Sequence, residues 1–199
     1  MKKITLFILC LFAGTLVFAQ EAQLGLKGGL NISTTTNSDG YQRGSRAGLN
    51  AGILAHVHLN PDWAIQPEVM FSSQGAKYTT ETDGEHSLVM NYINIPVQLQ
   101  YMFANGFRLQ TGPQVGFLAS VKDIHNGSET GYITSQDFKN VDFSWSVGLG
   151  YEAASGLGID GRYNFGLNNI NNARSAIVHN SVFQIGLFYM LKNNSSRRY

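Results

Sequence analysis

The sequence predicts an all-β protein, an eight-stranded antiparallel up-and-down transmembrane β-barrel. Three observations carry that prediction: eight segments with a two-residue hydrophobic period, connections that alternate between short and long, and an apolar face too bulky for the inside of such a ring. The clearest segment runs from Val141 to Glu152. There Val141, Phe143, Trp145, Val147, Leu149 and Tyr151 alternate with Asp142, Ser144, Ser146, Gly148, Gly150 and Glu152. Successive side chains of a strand point to opposite faces, so this strand has one bulky aromatic side and one small polar side. Its length is about what a tilted strand needs to cross a bilayer.

The chain opens with Met1-Lys2-Lys3, an apolar stretch from Ile4 to Phe18, and Val17-Phe18-Ala19 before Gln20. A basic start, a short apolar core and small residues near the cut predict a secretory signal peptide over 1–19, cleaved after Ala19. The barrel domain is expected over 20–192, with a polar tail over 193–199. Cys10, the single cysteine, lies inside the signal, so the mature chain is expected to lack thiols. That excludes disulfide, zinc-thiolate and cysteine-nucleophile chemistry. Only 14% of residues are charged, against about 25% in ordinary soluble domains. The net charge of +1 gives no footprint for nucleic acid. No apolar run of helical transmembrane length follows the signal, which excludes a helical membrane protein and leaves a stranded one.

Period-two segments fall at 22–32, 45–59, 62–74, 88–103, 107–120, 141–153, 157–168 and 181–191. Asn60-Pro61-Asp62, Ala104-Asn105-Gly106 and Ala154-Ser155-Gly156 separate some of them as tight turns. Long polar connections at 33–44, 75–87, 121–140 and 169–180 separate the others. In an up-and-down barrel this alternation places every long loop at one end and both termini at the other, the pattern of outer-membrane barrels with short periplasmic turns.

Alternation alone also fits a soluble barrel with an apolar interior. Volume decides between the two. The face carrying Leu24, Leu26, Leu49, Ile53, Trp63, Phe71, Leu99, Phe117, Trp145, Tyr163, Phe183 and Leu187 overfills an eight-stranded lumen, whereas the glycine-rich polar face fits it. Trp63, Tyr101, Phe103, Phe107 and Tyr151 gather beside the short turns as one interfacial girdle. Pro67, Pro96 and Pro113 fall within strands, where bulges or ladder breaks are expected because proline donates no hydrogen bond. Leu88 and Met90 are out of step with Ile93 and Ile95, which predicts a further bulge near Asn91-Tyr92-Ile93.

Several short motifs occur in a fixed order. They are Gly25-Leu26-Lys27-Gly28-Gly29-Leu30-Asn31, Gln66-Pro67-Glu68 with Gln74-Gly75, Tyr92-Ile93-Asn94-Ile95-Pro96, Thr111-Gly112-Pro113, Arg162-Tyr163 and Gly186-Leu187-Phe188-Tyr189. In these the chain resembles the PorT-like outer-membrane β-barrel proteins of the Bacteroidetes. The resemblance implies the barrel fold and an outer-membrane location in a Gram-negative bacterium, and it accounts for the strand prolines. It implies no shared activity. Gln184, Gly186, Tyr189 and Leu191 also resemble a terminal-strand signal for the barrel-assembly machinery, from which the tail Lys192 to Tyr199 departs.

The predicted lumenal charges are Lys27, Arg46, Glu68, Arg108, Asp142, Glu152, Asp160 and Arg162, four of each sign. Balanced charge in a narrow lumen predicts a plug of ion pairs padded by glutamines, because buried charges need partners. A selective pore favours one sign. His56 and His58 share a face but lack a third ligand, so no metal site is expected. His86, Ser87, Asp123, His125, Ser128, Asp137 and His179 lie near the long loops in no catalytic spacing, and no catalytic residue or cofactor is expected. Tyr78, Tyr132, Ile133 and Phe138 are the apolar exceptions in those loops and the candidate contacts for an envelope protein partner. The sequence thus predicts a structural or interaction barrel with a closed polar lumen. A small-solute channel is the first rival and a rim-sited enzyme the second.

Overall fold

The computed structural model describes residues 22–37, 43–80, 84–131, 133–172 and 177–191. The expected signal peptide, the tail over 193–199 and Tyr132 lie outside the described residues. The strands are β1 (Gln23–Asn37), β2 (Gly44–His58), β3 (Trp63–Thr80), β4 (Gly84–Met102), β5 (Phe107–His125), β6 (Ser128–Glu129), β7 (Val141–Glu152), β8 (Leu157–Gly166) and β9 (Val178–Met190). Every pairing is antiparallel. Sequential neighbours pair around the ring from β1 through β5 to β7, β8 and β9, while the two-residue β6 is an appendage of β5. The ring closes where β1 meets β9, from Gly25 opposite Met190 to Asn37 opposite Val178. Closure removes the free edges that an open sheet would expose.

Burial alternates as the period-two reading requires. Leu49, Ile53, Leu109, Phe143, Leu149 and Leu187 project outward and exposed, while Asn31, Gln66, Gln98, Ser146 and Asn164 are buried inside. The girdle forms beside the short turns through edge-to-face contacts of Tyr101 with Trp63 and Phe103, and of Phe107 with Tyr151. Two of those turns share one construction. The amide of Gly106 donates to the Phe103 carbonyl and that of Gly156 to Ala153, with φ of +91° and +86° at the two glycines. Only glycine adopts that backbone without strain.

The prolines interrupt hydrogen bonding without shifting register. Pairing of β3 with β4 lapses between Pro67 opposite Val97 and Met70 opposite Asn94, and that of β4 with β5 between Pro96 opposite Gln114 and Leu99 opposite Thr111. A true register shift separates Asn91 opposite Ser120 from Tyr92 opposite Leu118. The extra residue there belongs to β5, so β4 keeps one phase throughout. Leu88 and Met90 therefore point into the barrel beside Tyr92, and the bulge expected near Asn91-Tyr92-Ile93 is present with its extra residue on the facing strand.

The long connections are shorter than expected because strands continue beyond the apolar belt. The stretch 75–87 is mostly an extension of the β3–β4 hairpin, and 121–140 contains the end of β5, β6 and a single 3-10 turn over Ser135–Asp137. Asn126 and Gly127, with φ of +47° and +80°, make the tight turn between β5 and β6. Asn-Gly is the strongest short hairpin signal, and it stood unused inside a segment read as loop.

Where the ring closes, a methyl group on Gly29 would overlap the Ile185 carbonyl, whereas one on the lipid-facing Gly161 would meet nothing nearer than 3.9 Å. Gly29→Ala is expected to lower barrel stability by about 1–3 kcal/mol, the usual cost of overpacking, and Gly161→Ala to leave it unchanged. Urea unfolding in detergent micelles measures both.

Candidate functional site

The lumen is filled in layers. Its middle layer is a cluster of four charges drawn from β1, β3 and β8. Lys27 pairs with Asp160, and Arg162 reaches both Asp160 at 3.0 Å and Glu68, the latter through two guanidinium nitrogens. Glu68 and Arg162 are each 2% exposed. A two-nitrogen fork matches a carboxylate in a way lysine cannot, which fixes the relative height of β3 and β8 across the barrel. Gln66 donates to Glu68 at 2.7 Å, and Gln110 donates to Asp160 at 3.3 Å while accepting from Arg162 at 3.3 Å. Amides thus take up part of the hydrogen bonding that the ion pairs leave over.

Toward the short turns Arg108 pairs with Glu152 and lies over the Phe188 ring, 5.1 Å from its centroid. Leu54, Phe188 and Met190 pack together at this end. His56 meets Gln66 at 3.2 Å through Nδ1 and touches His58 edge to face. A cavity of about 450 Å³ opens here between His56, His58, Arg108 and Glu152 and the aromatic residues Phe103 and Tyr151.

Above the charge cluster, Asn31 donates to Ser72 at 2.9 Å and accepts from Asn50 at 2.6 Å and Gln184 at 3.0 Å. The next layer holds Asp142, which accepts from Asn180 at 3.3 Å, while Asn180 also donates to Gln74. Arg46 lies half-buried nearby, donating to Ser73 at 3.2 Å and to the Gln74 carbonyl at 3.1 Å. All eight predicted lumenal charges therefore stand on the inner face, and six of them form ion pairs. Arg46 and Asp142 form none among the described residues, being linked only through Gln74 and Asn180.

The long-loop end is apolar, in contrast to the wholly polar lumen expected. Leu88, Met90, Tyr92, Val121, Phe138, Ile170 and Val178 form one buried cluster, with Tyr78, Leu118 and Ile133 packed against it. Phe138 enters from the connection after the 3-10 turn and bridges Asn171, so two long loops fold together over the mouth. Of the proposed contact residues, Phe138 is buried, and Tyr78 and Ile133 are half-buried against the same cluster.

One side-chain set near the rim stood apart in the sequence and is brought together by pairing. Tyr78, His86 and His125 face one another across β3, β4 and β5, and their rings stack at 5.0 and 4.6 Å. His86 Nδ1 lies 3.2 Å from Asp123, whose same oxygen accepts from Thr130 at 2.6 Å. The imidazole has rings on both faces and is enclosed along with its carboxylate. These contacts tie β4, β5 and the chain after β6 together.

An outward apolar belt, an aromatic girdle and a polar ion-paired interior together define a transmembrane β-barrel. The sequence profile of the outer membrane protein beta-barrel domain family matches residues 18–172. The chain belongs to that family, and its place is the outer membrane. Two solved structures share the ring at low identity. Neisserial surface protein A (NspA) aligns over 85% of this chain and 99% of its own, with TM-score 0.58 and 13% identity. Ail, the attachment invasion locus protein of Yersinia pestis, solved with the heparin analogue sucrose octasulfate, aligns over 86% and 99%, with TM-score 0.54 and 15% identity. No curated relative matches the sequence.

Arg162→Met removes the shared cation and leaves two buried carboxylates with one lysine, which is expected to cost about 3–5 kcal/mol. The double variant Glu68→Leu/Arg162→Leu keeps Lys27 with Asp160 and is expected to recover most of that loss. Urea midpoints of the three proteins in micelles test the pair.

Proposed function

We propose that this protein is a non-enzymatic barrel of the PorT-like kind, with a shut lumen and loops that engage a protein partner in an envelope assembly. In this reading both termini face the periplasm and the long loops face outward. Insertion would follow recognition of the last strand by the barrel-assembly machinery, and outer-membrane lipid surrounds the apolar belt. The observation that carries the reading is the continuous filling of the lumen, from Leu54 and Phe188 through the four-charge cluster to Tyr92 and Phe138. A channel for small solutes needs free width and favours one sign of charge, whereas this interior is packed and balanced. The enclosure of His86 and Asp123 supports a structural role at the rim in place of catalysis.

Tyr78, Tyr132, Ile133 and Phe138 shape the contact surface in this proposal. Phe138 acts as an anchor that holds its loop, and the polar tips around Gln136, Lys139 and Asn172, which line a groove of about 460 Å³, meet the partner. Loop residues presented on a rigid scaffold are where recognition concentrates.

Planar-bilayer recordings on the purified protein are expected to show no conductance; stable open steps would restore the channel reading. A cross-linking pull-down from intact envelopes, comparing wild type with a chain whose residues 126–137 are replaced by a short turn, is expected to lose a partner. An unchanged set of partners would remove this segment as the contact.

A further inference from the structure

The chain carries two Asn-Gly pairs, Asn105-Gly106 and Asn126-Gly127. Both stand in tight turns, with φ of +91° at Gly106 and of +47° and +80° at Asn126 and Gly127. Asn-Gly is the dipeptide most open to self-attack, because a glycine amide has no side chain to shield it from the carboxamide before it. The fold treats the two pairs oppositely. At the short turn the Gly106 amide donates to the Phe103 carbonyl at 3.0 Å, and the Gly106 carbonyl accepts from the Glu152 amide at 2.9 Å. The Asn105 side-chain oxygen accepts from the Phe107 amide at 3.2 Å. A methyl group on Gly106 would lie 2.5 Å from the Glu152 carbonyl, so this pair has no room to turn.

At the tip between β5 and β6 each of those restraints is missing. Among the described residues the Gly127 amide donates to no backbone carbonyl, and a methyl group on Gly127 would meet nothing within 4 Å. Asn126 is exposed, and its carboxamide meets an imidazole: Nδ2 donates to Nε2 of His125 at 2.8 Å. His125 is held from its other side. Its Nδ1 donates to the Glu85 carbonyl at 3.1 Å, and its ring stacks on His86 at 4.6 Å. A carbonyl can only accept, so the Nδ1 proton is fixed and Nε2 is the nitrogen that takes up and gives back a proton.

Closing an asparagine onto the next amide moves protons at both ends: the attacking nitrogen must lose one and the leaving nitrogen must gain one. A general acid serves an atom that stands about 2.6–3.2 Å away, and His125 Nε2 stands within that reach of Nδ2. We propose that Asn126 converts itself to aspartate and isoaspartate, with His125 protonating the departing nitrogen. The Gly127 nitrogen bonds to Cγ of Asn126 and gives its proton to water. The Cγ–Nδ2 bond breaks as Nδ2 takes a proton from His125 Nε2 and leaves as ammonia, and water reprotonates His125. A water molecule then opens the cyclic imide at either carbonyl, so the balance is one water consumed and one ammonia released. The product sets a new carboxylate at the loop tip two residues before Ser128-Glu129, or a backbone longer by one methylene. This chemistry is independent of whether the loop engages a partner.

The test holds the folded barrel in detergent at neutral pH and follows the two Asn-Gly peptides by mass spectrometry, through the mass gain from amide to acid, with chromatographic separation of aspartate from isoaspartate. Asn126 is expected to convert at least about tenfold faster than Asn105. His125→Phe keeps a ring against His86 and removes Nε2; it is expected to slow Asn126 by about tenfold and to leave Asn105 unchanged. Equal rates at Asn105 and Asn126 in the wild type overturn the proposal, and so does an unchanged Asn126 rate in His125→Phe. If His125→Phe does not refold, His125→Gln, which also lacks a titrating nitrogen, takes its place with the same two outcomes.

Discussion

The four-charge contact among Lys27, Asp160, Arg162 and Glu68 is the interaction around which this barrel is arranged. An eight-stranded ring encloses a space about as wide as the side chains that enter it. Charges placed there have no water to turn to, so each must be met by another side chain. Arg162 meets that demand for two carboxylates at once, and Lys27 completes the neutrality. Such clusters add little net stability, since an apolar filling of equal volume does as well. Their effect is on geometry: the fork between Arg162 and Glu68 accepts one relative height of β3 and β8, and the neighbouring glutamines accept the same one.

The rest of the lumen follows from that polar middle. The polar middle is flanked by apolar side chains on both sides: Leu54, Phe188 and Met190 toward the short turns, and the cluster around Tyr92 and Phe138 toward the long loops. The long-loop end needs the larger lid because β3, β4 and β5, of 18, 19 and 19 residues, outrun β7 and β8, of 12 and 10. Loops from the low side fold across to the tall side, carrying Phe138 and Ile170 onto Leu88, Met90 and Val121. The stack of Tyr78, His86 and His125, with Asp123 and Thr130, fastens the tall side where no lipid supports it. Scaffold and lid are thus one packed unit.

Much of this was legible in the residues. The two-residue period identified the outward belt and the inward charges, and Asn105-Gly106 and Ser155-Gly156 marked the tight turns. What escaped had physical reasons. Leu88 and Met90 are out of step with the outward Ile93 and Ile95 because they belong to the apolar lid, and nothing local says that the mouth is sealed in that way. The bulge expected near Asn91-Tyr92-Ile93 is present, but its extra residue lies in β5, on the facing strand. Asn126-Gly127 was readable and was overlooked within a polar stretch. The meeting of His86 with Asp123 depends on the pairing of β4 with β5, and no spacing along the chain announces a contact across 37 residues.

Closure of the lumen is the central claim, and it is tested most directly by thiol labelling. Ser146 is fully buried at mid-lumen, donating to Gln98 at 2.8 Å, and the mature chain is expected to hold no cysteine of its own. In Ser146→Cys, a small water-soluble thiol reagent is expected to leave the folded barrel unmodified and to label it fully after unfolding in denaturant. Rapid labelling of the folded barrel would show a water-filled passage through the middle layer and contradict the account.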